Sequence, residues 1–72
     1  MEIEQQIALG SSEIADLILN HQDLLETNDE IVENINTGRK SMEFFMALGE
    51  APRALYEVKN IKQKILQHLG LV

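Results

Sequence analysis

The residues best equipped for chemistry in this 72-residue chain are His21 and His68, three serines, and a large excess of carboxylates over basic groups. His21 lies two residues before Asp23 and five after Asp16, a grouping that invites a metal reading. On a helix, however, side chains two positions apart point about 200° away from each other. No Glu-x-x-His or His-x-x-x-His spacing occurs either, so no metal ligand is assigned. His21 is expected instead as a partly buried residue that helps to set helix register. Gly38-Arg39-Lys40-Ser41 has the ending of a phosphate loop but lacks its first glycine and the preceding strand, and it is expected as a turn. Ser11, Ser12 and Ser41 would need a neighbouring base and a pocket of roughly 300 Å³, which so short a chain is not expected to enclose. The sequence therefore assigns no catalytic residue, no cofactor and no metal, and the protein is expected not to be an enzyme.

Positioning must come from helices. Apolar residues recur at steps of three, four or seven, and strand-like alternation is nowhere sustained. With Ile18, Leu25, Val32 and Met46 at heptad position a, the d positions fall on Ile7, Ile14, His21, Asn28, Ile35 and Met42. This seam predicts a long first helix over about residues 2–37. Gly10-Ser11-Ser12 and the capping-box pattern Thr27-Asn28-Asp29-Glu30 are the alternative break points. Asn36-Thr37-Gly38 reads as a stop or kink, with Gly38 at the left-handed C′ position. A helix over about 41–48, a turn over 49–52 and a last helix over about 52–69 follow. Gly49 closes one element, Pro52 fits the first turn of the next, and Gly70 ends the chain's last helix. The expected fold is all-α, a helical hairpin or small bundle in which the C-terminal helix folds back antiparallel on a long, interrupted or continuous N-terminal helix.

Charge follows the same division. The first 38 residues hold nine of the twelve carboxylates and no Lys or Arg, whereas all six basic residues lie from Arg39 onward, for a net charge of −6. This balance argues against whole-surface binding to nucleic acid or to an anionic membrane. With no cysteine, disulfide staples and thiolate zinc sites are ruled out. No basic, apolar leader opens the sequence, and its longest apolar run, Phe44 to Leu48, is far short of the roughly 20 residues needed to span a bilayer. A cytoplasmic protein is expected.

A continuous helix over residues 3–37 would be about 50 Å long and the last helix about 27 Å, so the short one cannot cover the long one. The sequence therefore predicts a protein partner, either a second copy or another helical protein. Ile14, Ile18, Leu25, Asn28, Val32, Ile35, Met42, Phe44, Phe45 and Met46 are the expected interface. Asn28 would fix register, and Leu25→Asp would dissociate the assembly. Phe44 is expected beneath the turn against Leu55 or Tyr56, or alternatively as an exposed anchor together with Met46. Two further readings remain. A dimeric DNA- or RNA-binding regulator would use Arg53, Lys59, Lys62 and Lys64. An acidic inhibitor would imitate a phosphate backbone with Asp16, Asp23, Glu26, Glu30 and Glu33.

Overall fold

In the computed structural model, which describes residues 2–72, four helices form a small bundle with no strand among the described residues. They are α1 (Ile3–Asn20), the single turn α2 (Gln22–Leu25), α3 (Asp29–Ala47) and α4 (Ala51–His68). The longest dimension is 35 Å. That is shorter than an unbroken helix over residues 3–37 would be at about 1.5 Å per residue. The chain accordingly turns back on itself between α1 and α3.

Two residues make that turn. His21 closes α1 with a non-helical backbone (φ −131°, ψ 34°), and Nδ1–H of its ring donates to the Leu17 carbonyl at 2.9 Å. Asn28 is extended (φ −111°, ψ 100°), and its side-chain oxygen accepts from the Ile31 N–H at 3.2 Å, so it is the N-cap of α3. Asp29 and Glu30 follow in the first turn, where the helix dipole favours negative charge. The cap thus sits one residue later than the Thr27 box implies. Thr27 is not the cap: its hydroxyl is turned back toward the preceding turn, where it donates to the Asp23 carbonyl at 2.9 Å, and the Ile31 N–H goes to Asn28 instead. Between the two turning residues α2 carries Leu25 into the base of the bundle, where it is only 1% exposed.

Gly38 does not stop a helix: α3 runs through it to Ala47. Neither Gly10 nor Gly38 has a positive φ, and both instead leave room for α4. A Cβ at position 10 would lie 2.4 Å from Cγ1 of Val58, and one at position 38 would lie 2.4 Å from Cγ1 of Ile61. The two glycines thus let α1 and α3 approach the same turn of α4 from either side.

Gly49 and Pro52 do the work expected of them. Gly49 takes φ 76°, the Glu50 N–H reaches the Phe45 carbonyl at 2.8 Å, and the Gly49 N–H reaches the Met46 carbonyl at 3.1 Å. These are the two bonds of a Schellman cap, and the same pair recurs after α4, from Leu71 to Leu66 and from Gly70 to Gln67. Pro52 sits in the first turn of α4, where its missing N–H costs nothing.

The helix α4 is the keel of the bundle. Its stripe Ala54, Val58, Ile61 and Ile65 is buried, and it packs against both α3 and α1. It runs antiparallel to α3, as Phe45 lies beside Arg53 and Gly38 beside Ile61. Because the chain has already turned at His21–Asn28, α1 lies alongside α4 in the same direction: Gly10 meets Val58, and Glu13 pairs with Lys62. The acidic helix therefore reaches a basic one through a parallel contact. The rest of the core comes from Ile7, Ile14, Leu25, Ile31 and Ile35, so it is wholly aliphatic.

Candidate partner-binding surface

The seam residues divide into three groups. Ile14, Leu25 and Ile35 are buried within the chain's own core, while Ile18, Val32, Met42 and Phe45 are partly buried against it. Asn28 caps α3. Phe44 and Met46 remain on the surface. Once the chain folds back, α4 and α2 cover most of the stripe that a continuous helix would have left for a partner.

Aromatic residues take the opposite course. The chain has only three, and none enters the buried core. All three gather where α3 turns into α4. Successive positions on a helix differ by about 100°, so only one of Phe44 and Phe45 can face inward. Phe45 takes that place, leaving Phe44 60% exposed rather than beneath the turn. The two rings meet edge to face, 5.8 Å between centroids at 64°. The Arg53 guanidinium stands over the Phe45 ring, 5.1 Å from its centre and within cation–π range, and is also held by Glu50 at 3.5 Å. Phe45, Pro52, Arg53, Tyr56 and Glu57 line a shallow depression beside it, with Tyr56 67% exposed. Leu48, four positions after Phe44, extends the apolar surface.

The sequence names Tyr56 only as a residue that could cover Phe44, and Arg53 only as a nucleic-acid contact; neither is expected as part of an exposed patch. The signal is their spacing from Pro52, since a helix begun there brings both back beside the end of α3.

The basic residues of α4 form no single stripe. Lys62 pairs with Glu13 of α1, and Lys59 lines the groove between α1 and α4. At about 100° per residue Arg53 and Lys64 fall on the opposite edge of the buried stripe from Lys59 and Lys62. Asp16, Asp23, Glu26, Glu30 and Glu33 are all exposed, around the far end of the bundle. Among the described residues no group of three or more His, Asp or Glu side chains could hold a metal ion, and no helix is long and apolar enough to cross a membrane.

No family model matches this chain, and comparison with curated proteins and with solved structures finds no match.

Proposed function

We propose that the protein is a small, non-enzymatic, cytoplasmic protein–protein interaction module, acting as a regulator, adaptor or assembly chaperone, and that it grips a helix of its partner or of a second copy with the aromatic end of the bundle. The observation that carries this reading is the placement of the aromatics. A 72-residue chain has little apolar material to spare, yet Phe44 and Tyr56 are left largely in solvent beside a half-buried Phe45 and a stacked Arg53. Tyr, Phe, Met and Arg are the residue types enriched at interface centres, because they offer much rigid or adaptable contact area at low ordering cost.

The test is a photo-reactive cross-linker at position 44, compared with the same group at Glu33, on the acidic far end. The reading expects position 44 to capture one defined protein, or a second copy of the chain, while position 33 captures nothing comparable. Light scattering after size exclusion supplies the second arm. If self-association is the mode, the mass rises with concentration for the parent chain and falls for a Phe44→Ser, Tyr56→Ser variant of unchanged helicity. Equal capture from both positions, with a constant monomer mass, would sink the reading.

A further inference from the structure

The stripe by which α1 and α3 face the core keeps one phase across the turn that separates them. Gly10 and Gly38 are four heptads apart, and the same 28-residue offset relates Ile7 to Ile35 and Ile14 to Met42. Two helices placed independently around a third have no need of a common phase, since the turn between them can absorb any remainder. A shared heptad phase is what one continuous, gently supercoiled helix would require. Nothing in the turn forbids that state. Residues 11–37 contain no Gly or Pro, α2 is already helical, and the chain departs from helical geometry at His21 and Asn28 without any residue at positive φ other than the distant Gly49 and Gly70. Straightened, residues 3–47 would form one helix of about 68 Å carrying a stripe that is polar only at His21 and Asn28.

We propose that two copies of this chain exchange α1, the segment α1–α2–α3 straightening into one helix so that α1 of each copy lies on α4 of the other. Every contact needed is already described: the second copy's α1 brings the glycine that Val58 requires and the carboxylate that pairs with Lys62. The arrangement is a closed two-fold dimer, in which identical contacts are made twice. Leu24, 59% exposed in the turned chain, falls on the same stripe of the straightened helix, midway between Gly10 and Gly38. The exchange uses the α1–α4 contact and not the aromatic end, so either proposal can fail without the other.

The absence of native cysteine makes the test direct. A Cβ placed at Gly10 would lie 3.7 Å from Cβ of Val58, the separation a disulfide requires. Chains carrying Gly10→Cys alone and Val58→Cys alone, one of them lengthened by a tag, are refolded together at high concentration and mildly oxidised. The doubly substituted chain, which can close the bridge within one chain or across an exchanged pair, serves as the geometric control. Exchange predicts a mixed disulfide dimer at least tenfold more abundant than either like-with-like dimer. Mixed and like dimers in random proportion, or a lasting monomer, overturn it. A second pair of variants guards against misfolding of the first. Asp29→Pro suits the first position of α3 in the turned chain but kinks a continuous helix, and it should lower the dimer fraction measured by light scattering. Asn28→Leu removes the cap and completes the stripe, and it should raise dimerisation at least fivefold per chain, about the worth of one cap. Equal or opposite shifts for the two would likewise overturn the proposal.

Discussion

Gly38 and Ile61 share a space that holds only one side chain: a Cβ on residue 38 would stand 2.4 Å from Cγ1 and 2.6 Å from Cδ1 of Ile61. Both residues are buried, so Ile61 has little room to turn aside. Alanine at position 38 gains about 1 kcal/mol of helix propensity but overpacks the crossing by about 1–3 kcal/mol. Gly38→Ala should therefore lower stability in urea by up to about 2 kcal/mol. Combined with Ile61→Ala the two losses should fall short of additive, because the second substitution frees the space that the first requires. An additive pair would mean that the helices do not meet at this crossing.

Leu25 belongs to the fold of the single chain before it belongs to any assembly. With Leu25 1% exposed, Leu25→Ala should cost about 2–5 kcal/mol, a large share of the stability of so small a domain. Leu25→Asp, expected from the seam to separate subunits, should instead unfold the chain. The check is far-UV circular dichroism at a concentration where the parent is monomeric: a soluble, fully helical Leu25→Asp monomer would contradict the packing.

Asn28 and Thr27 are neighbours with different duties. Asn28→Ala removes the α3 cap and should cost about 1 kcal/mol, whereas Asn28→Asp, which keeps the acceptor, should be nearly neutral. Thr27→Ala should cost less than Asn28→Ala, since its hydroxyl serves only exposed carbonyls of the preceding turn, those of Asp23 and Leu24. Thermal melts of the three variants order them directly.

Phe44 and Phe45 should separate binding from stability. Phe45→Ala leaves a gap against the core and the Arg53 stack, and it should destabilise by about 2 kcal/mol. Phe44→Ala should change stability by less than about 1 kcal/mol, as an exposed substitution does. Guanidinium titrations of the two variants with matched slopes decide the point.

The Glu13–Lys62 pair ties α1 to α4 at the surface, with both side chains substantially exposed. Glu13→Gln should lower stability by less than about 1 kcal/mol, and molar salt should shrink the difference further. A larger, salt-resistant loss would show that the pair is shielded from water.

The hairpin of α3 and α4 is legible in the sequence, because Gly49, Pro52 and Gly70 act through backbone geometry that residue type alone dictates. The buried stripe of α4, Ala54, Val58, Ile61 and Ile65, likewise follows the three- and four-residue steps that mark a helix. Gly38 is misleading for a physical reason. A glycine required for positive φ and one required for close approach are the same letter, and only the partner helix tells them apart. The turn at His21–Asn28 is harder still to read, since it interrupts a stripe whose phase it does not change. At the aromatic end the sequence shows that Phe44 and Phe45 must face apart. Which of them faces inward depends on where α4 lies.

An interior built only from Ile, Leu, Val and Ala has a spectroscopic consequence. With no Trp, and with Tyr56 mostly in water, the folded chain should give a weak near-ultraviolet dichroism signal and a tyrosine emission that barely changes on unfolding. Strong helical signal without near-ultraviolet structure is a usual mark of a molten globule. Here the same signature would come from a fully packed native state, so side-chain order must be read from methyl resonances or amide exchange.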